Sequence, residues 1–215
     1  MGQKVNPRVL RLGVISTWSS RWFAGKNYKD LLLEDYKIRT ALMERLRAAG
    51  VSEIEIERSI NSLKITAYVS KPGMVIGRGG TGLEDLKVYL QKEFIRKLNS
   101  KAQYKLDIKV EPIKDPNLDA YLVAKNVSEQ LVKRLPAKRV LTATVDKVMG
   151  SGALGVRIRL AGRIGGAEIA RREKVQVGTV PLSTIREDIS YASYPALTKK
   201  GYIGVKVWIH RPEEK

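Results

Sequence analysis

Pro72-Gly73-Met74-Val75-Ile76-Gly77-Arg78-Gly79-Gly80-Thr81-Gly82 packs five glycines into eleven residues, and two incompatible folds compete for it. Gly77-x-Gly79-x-x-Gly82 formally matches a dinucleotide-binding fingerprint, which requires a strand running straight into the first glycine. Pro72-Gly73 leaves only Met74, Val75 and Ile76 for such a strand, which argues against a nicotinamide-dependent enzyme. The other reading takes Gly77-Arg78-Gly79-Gly80 as a G-x-x-G loop between a short helix and a long one. Glycines let the backbone approach a nucleic-acid backbone closely, and the next helix presents its free N–H groups. Arg78 adds a cation at the loop tip. A glycine-rich turn with a purely structural job is the plain alternative.

The flanks favour the loop. Upstream, Ile54 and Ile56 alternate with glutamates, and Leu63, Ile65, Ala67 and Val69 alternate with Lys64, Thr66 and Tyr68, which predicts two strands. A helix is expected over Ile38–Ala49, stopped by Gly50. Downstream, Leu83, Leu86, Leu90, Phe94 and Leu98 predict a helix over Leu83–Leu98, and Leu106, Ile108 and Val110 a strand over Tyr104–Val110. Helix, strand, strand, glycine loop, helix, strand is an α+β unit with a three-stranded sheet. KH domains clamp about four nucleotides of backbone with such a loop.

Pro112-Ile113-Lys114-Asp115-Pro116 reads as a domain boundary, with Asp115 capping a helix that starts at Pro116. That helix buries Ala120, Val123, Ala124, Val127 and Leu131 and is broken by Pro136. Val140–Met149 suits a helix by spacing and a strand by its β-branched content. Further strands are expected at Val156–Leu160, near Arg186–Tyr194 and at Ile203–Ile209. Three sections result: a basic arm over residues 1–36, an α+β domain over 37–113 and a second α+β domain over 114–215.

The 215 residues carry 40 Lys+Arg against 22 Asp+Glu, a formal net charge of +18. The three stretches 1–39, 40–113 and 114–215 hold net +5, +4 and +9, so the excess is not parked in one tail. A polyanion contacted along much of the surface is the simplest explanation, and nucleic acid is the commonest such partner. No uncharged run exceeds the eleven residues Val175–Ile185, too short for a bilayer-spanning helix, so no membrane partner is expected. The absence of cysteine excludes disulfides, thiolate metal sites and thiol nucleophiles. His210 is the only histidine and no phosphate-binding G-x-x-x-x-G-K-[ST] loop is present, so neither catalysis nor a cofactor is expected.

The basic residues cluster as Lys133-Arg134, Lys138-Arg139, Arg157/Arg159 and Arg171-Arg172. Isolated basic pairs are usually solvated faces, but the overall surplus favours phosphate contact. Trp18, Trp22 and Phe23 are expected to pack on a domain rather than stack on bases.

Longer blocks point to one family. Met1-Gly2-Gln3-Lys4-Val5-Asn6-Pro7, Arg11-Leu12-Gly13 and the Trp18/Trp22 pair resemble the start of the bacterial-type small-subunit ribosomal protein number three. Pro72-Gly73-x-Val75-Ile76-Gly77-x-x-Gly80 is similar to that family's KH loop. Gly162-Arg163-Ile164-Gly165-Gly166-Ala167-Glu168-Ile169-Ala170-Arg171 and Gly204-Val205-Lys206-Val207-Trp208-Ile209 resemble its C-terminal signatures.

The resemblance implies a type II KH domain followed by a second α+β domain in which Pro136–Met149 is helical. It implies a non-enzymatic constituent of the small-subunit head, bound to ribosomal RNA, lining the messenger-RNA entrance and helping to open structured message without ATP. Neighbours would be head proteins ten and fourteen and entrance proteins four and five, on a cytoplasmic rather than organellar ribosome. By the same likeness, Lys133, Arg134, Lys138 and Arg139 are candidate messenger-RNA contacts, with Thr142 standing where a third base is usual. Gly77, Arg78, Gly79 and Gly80 would hold RNA backbone, Gly79 replacing a common lysine. Lys4, Arg8, Arg11, Arg163, Arg171 and Arg172 are candidate ribosomal-RNA contacts. The alternative is a free KH-type RNA regulator.

Overall fold

A computed structural model describes residues 4–59, 62–95 and 105–212. In chain order the elements are α1 (Pro7–Leu10), β1 (Ser20–Arg21), α2 (Tyr28–Arg45), β2 (Val51–Arg58), β3 (Ser62–Val69), α3 (Pro72–Ile76), α4 (Thr81–Leu90) and β4 (Lys105–Pro112). They continue with α5 (Ala120–Val132), α6 (Ala137–Gly150), β5 (Gly155–Gly162), β6 (Arg171–Gly178), β7 (Ile189–Thr198) and β8 (Gly201–His210). The chain divides into two units: Trp18–Lys114, and Asp115 onward together with the residues up to Thr17. Residues 1–36, expected as one basic arm, are therefore shared between the units, and α2 already begins at Tyr28.

In the first unit β2 and β3 pair antiparallel with Ile54 opposite Ala67 and Ile56 opposite Ile65. β4 lies parallel to β3, Ile65 opposite Ile108. Parallel neighbours need a crossover, and α3 and α4 supply it. A fourth, two-residue strand was not expected: β1 pairs parallel with β2 through Ser20 and Ile56. One continuous core joins Ile38 and Leu42 of α2, Ile54, Ile56, Ile65 and Val69 of the sheet, and Leu86 and Leu90 of α4. α4 runs on into a wider turn over Gln91–Ile95. The side chain of Phe94, all of Leu98 and Tyr104, which the sequence placed in this helix and strand, lie outside the described residues.

The helix expected at Ile38–Ala49 instead spans Tyr28–Arg45, followed by a tight turn at Arg47–Ala49 and Gly50 at φ 69°. Its first turns escaped the pattern because its buried face carries Asp35, and because Leu32 and Leu33 are exposed. Asp35 is only 1% exposed. Trp22 Nε1 donates to its Oδ2 at 2.7 Å and Arg58 Nε donates to its Oδ1 at 2.7 Å. Arg58 Nη1 also donates to Glu34 Oε2 at 3.1 Å, while burial lifts the Glu34 carboxyl above the ordinary carboxylate range against the pull of Arg58. Of the three early aromatics, only Trp22 is held in this way. Trp18 and Phe23 are 67% and 97% exposed, contrary to the expected packing.

In the second unit the sheet order is β6-β5-β8-β7, every pair antiparallel. α5 packs on β7 and β8, and α6 on β5 and β6. Asp119, not Asp115, caps α5, accepting from the backbone N–H groups of Tyr121 and Leu122 at 2.8 and 3.0 Å. Pro116–Leu118 forms only a short turn ahead of it. The ambiguous segment is helical. Val140, Leu141, Thr144, Val145 and Val148 are its buried stripe, and the Thr144 hydroxyl donates to the Val140 carbonyl at 2.7 Å, which satisfies it inside the core. β6 was not expected, and β7 begins and ends later than the strand read at Arg186–Tyr194.

Candidate nucleic-acid interface

The glycine loop sits between α3 and α4, and Pro72–Ile76 is helical, so no strand runs into Gly77 and the dinucleotide reading fails. Gly77 adopts φ 71° and ψ −179°, a combination closed to side-chain-bearing residues. Gly82 is fixed differently: a Cβ there would collide with the Val75 carbonyl oxygen, so α3 and α4 meet only because position 82 has none. Gly77, Arg78 and Gly79 are exposed and Gly80 is half-buried. The Thr81 hydroxyl donates to the Arg78 carbonyl at 3.1 Å and closes the loop, leaving the Arg78 side chain outside. An exposed backbone turn with one cation can accept a phosphodiester backbone but has no acid–base pair for chemistry.

The second unit brings Lys133, Arg134, Lys138 and Arg139 together at the α5–α6 corner, all exposed. The turn is a Schellman motif: Leu135 N–H donates to the Gln130 carbonyl at 3.2 Å and Arg134 N–H to the Leu131 carbonyl at 2.9 Å. Its left-handed position is normally glycine, yet here it is Arg134 at φ 59°, the one non-glycine residue with positive φ among the described residues. A side chain there costs about 1 kcal/mol or more, which suits a residue kept for its cation. Arg134→Gly is therefore expected to raise stability by about 0.5–1 kcal/mol while weakening RNA binding, read by thermal unfolding and by RNA titration. Thr142 lies one turn beyond Lys138, its hydroxyl donating back to the Lys138 carbonyl at 3.1 Å.

The candidate ribosomal-RNA residues part company. Lys4, Arg8, Arg171 and Arg172 are exposed. Arg163 is half-buried and braces its own glycine turn, donating from Nε to the Ala167 carbonyl at 2.8 Å and from Nη1 to the Lys200 carbonyl at 3.3 Å. Arg11 does not belong with them. It is 2% exposed, and its guanidinium donates to the carbonyls of Glu187 (2.6 Å), Pro7 (3.0 Å), Thr184 (2.7 Å), Pro181 (3.3 Å) and Leu182 (3.4 Å). Desolvation lowers its pKa, with Asp188 and Glu187 pulling the other way. It ties the N-terminal segment to the loop before β7. His210 is structural too, its ring nitrogens 3.0 Å from the Thr179 carbonyl and 2.8 Å from Glu187 Oε2.

Strand pairing assembles a feature only half visible in the sequence. Lys174, Arg159 and Lys206 stand directly opposite one another across β6, β5 and β8, on the sheet face away from α5 and α6. Arg157 shares that face and donates to Gln176 Oε1 at 2.9 Å. The alternation of Arg157 and Arg159 was legible; their register with Lys174 and Lys206 was not. Among the described residues no group of three or more His, Cys, Asp or Glu could hold a metal ion, and no helix is long and apolar enough to cross a membrane.

Comparison with known proteins agrees with both units. Residues 37–117 match the family model of the KH domain, and residues 127–209 match that of the ribosomal protein S3 C-terminal domain. The chain is therefore α+β, a KH domain followed by an S3-type C-terminal domain. It is similar to the small ribosomal subunit protein uS3 of Desulfitobacterium hafniense, 46% identical over 213 residues covering 99% of this chain and 94% of that protein. The same-named proteins of Syntrophomonas wolfei and Desulforudis audaxviator are 45% and 49% identical, over 99% of this chain and 90% and 94% of theirs. At that identity over nearly its whole length, this chain belongs to the family of small ribosomal subunit protein uS3.

Proposed function

We propose that the chain is a non-enzymatic, RNA-binding structural constituent of the small ribosomal subunit of cytoplasmic ribosomes, working without a cofactor. The near-full-length likeness to uS3 proteins carries this reading. Its place is the head, among proteins ten and fourteen and beside entrance proteins four and five. Arg8, Lys4, Arg163, Arg171 and Arg172 meet ribosomal RNA, and the Gly77–Gly80 loop holds RNA backbone. Lys133, Arg134, Lys138 and Arg139 face messenger RNA at the channel entrance and help to open structured message, with ribosome movement supplying the work.

Sedimentation after a high-salt wash tests the assignment. Comigration of a tagged copy with the small subunit supports it, because purely electrostatic binding falls steeply with salt. A protein left at the top of the gradient would instead be the free KH-type regulator. For the entrance, Lys138→Ala with Arg139→Ala removes two exposed cations from a helix whose core face is untouched. Stability should change by no more than about 0.5 kcal/mol, and sedimentation not at all. Unwinding of structured message on assembled ribosomes should slow severalfold; an unchanged rate removes that role.

A further inference from the structure

The residues of β5, β6 and β8 that alternate away from the core make an open face on the second unit. Lys174, Arg159 and Lys206 stand side by side across it, with Arg157 and Arg172 in the rows to either side. Lys174, Lys206 and Arg172 are exposed and Arg159 is half-buried. No carboxylate of these strands shares the face: Glu173, the only acid in β5, β6, β7 and β8, pairs with Leu160 and so lies on the opposite side. Neighbouring strands are about 4.8 Å apart, so the three cations span about 10 Å. Like charges directly opposite one another destabilise a sheet, which makes this row a liability until an anion covers it.

The next row has the opposite shape. Arg172, Ala161, Gly204 and Pro195 follow one another in register across β6, β5, β8 and β7, and the two central positions carry no more than a methyl group. Gly204 has no backbone reason to be glycine. Its φ lies outside the left-handed region, and a Cβ would meet nothing nearer than the Ala161 carbonyl oxygen at 3.7 Å, an ordinary contact. Glycine inside a strand weakens it, and is a mark of a place where a ligand or another backbone comes close. Beyond this low floor, on the same face, stand Tyr202 and Leu197, paired in register and 67% and 60% exposed.

A cation row, a floor cleared for a backbone and an exposed aromatic ring match the three parts of a nucleotide strand: phosphate, sugar and base. An acidic peptide would use the cations but leave the floor and the ring unexplained. A duplex keeps its base faces stacked inside, so the ring selects an unpaired strand. We infer that the open face of the C-terminal sheet is a docking surface for single-stranded RNA. Phosphates lie along Lys174, Arg159 and Lys206, the sugar-phosphate chain crosses Ala161 and Gly204, and an unpaired base stacks on Tyr202. The inference rests on the RNA-binding reading above and extends it to the face turned away from α5 and α6.

The test follows acetylation of each lysine of the full chain by mass spectrometry, so that binding is read at this face alone. A short unstructured RNA should shield Lys174 and Lys206, and do so more strongly than the same strand in a duplex or polyglutamate of equal charge. In Tyr202→Ser the RNA concentration that half-shields Lys206 should rise about fivefold or more, the value of one stacked base. Arg159→Ala should lower the salt slope of that shielding by about 0.7, one phosphate contact on a single strand. Gly204→Val puts a strand-favouring side chain on the floor. It should raise the thermal midpoint yet weaken the shielding, a pair of effects that a structural role for the glycine would not produce. Equal shielding by all three polyanions, or shielding unchanged in both Tyr202→Ser and Gly204→Val, overturns the inference. Stronger shielding by polyglutamate overturns it in favour of an acidic protein partner. RNA binding that leaves both lysines open to acetylation overturns it while the RNA-binding reading stands; no RNA binding at all removes both.

Discussion

Asp35→Ala should cost the KH unit about 3–5 kcal/mol. The carboxylate joins three pieces of chain that are distant in sequence: Trp22 ahead of α2, Asp35 within it, and Arg58 at the end of β2. Removing it leaves a mostly buried guanidinium without its main counter-charge and an indole N–H without an acceptor, and uncompensated buried charge is among the most damaging changes a fold can suffer. Asp35→Asn should recover little, because an amide presents a donor where Trp22 or Arg58 already donates. Pairing Asp35→Ala with Arg58→Met should cost much less than the two single changes together, since the stranded charge is then gone. Urea denaturation reads this through tryptophan emission. The chain has three tryptophans, and Trp208→Phe leaves only Trp18 and Trp22, both in the first unit. A loss below about 1 kcal/mol for Asp35→Ala would show that water replaces the carboxylate and that the three-way junction is not what holds the arm.

The same residue explains the largest sequence-level misreading. Periodicity finds a helix by its apolar stripe, and a carboxylate at the centre of that stripe ends the pattern, so α2 looked ten residues shorter at its start than it is. β6 was invisible for a related reason. As an edge strand it has most of its residues exposed, so Arg171-Arg172-Glu173-Lys174 shows no apolar alternation, and only pairing with β5 defines it. Elements buried on one face were read well: β2, β3, β5, β8 and α5 all announce themselves by alternation or helical spacing. The G-x-x-G loop was also legible, because its chemistry is local in sequence. The open face of the second unit's sheet was not. Its cations were each visible, but the row that Lys174, Arg159 and Lys206 share is assembled from β6, β5 and β8, and no local pattern reports a convergence of that kind.

Arg8 and Arg11 provide the sharpest contrast between the two ways of using a basic residue. They are one turn apart on the same segment, and sequence alone gave both the same role. Arg8 is exposed, whereas Arg11 spends its guanidinium on five backbone carbonyls. Four of those carbonyls belong to Pro181–Glu187, the loop beside Val180, Leu182, Ile189 and Trp208, which form their own small apolar cluster. Arg11→Ala should therefore destabilise the C-terminal unit by about 3 kcal/mol, because hydrogen bonds to a charged group contribute about 1.5–3 kcal/mol and the stranded carbonyls add their own penalty. Arg11→Lys should recover less than half: an ammonium is a point donor and cannot reproduce the planar fork that reaches carbonyls on both sides. Arg8→Ala should leave stability within about 0.5 kcal/mol yet lower the slope of log K against log salt for RNA binding by about 0.7–0.9, the loss of one phosphate contact. Denaturation and salt titration of the two variants thus give crossed outcomes. A reduced salt slope for Arg11→Ala with stability intact would return Arg11 to the RNA surface and break the clip between the N-terminal segment and the β7 loop.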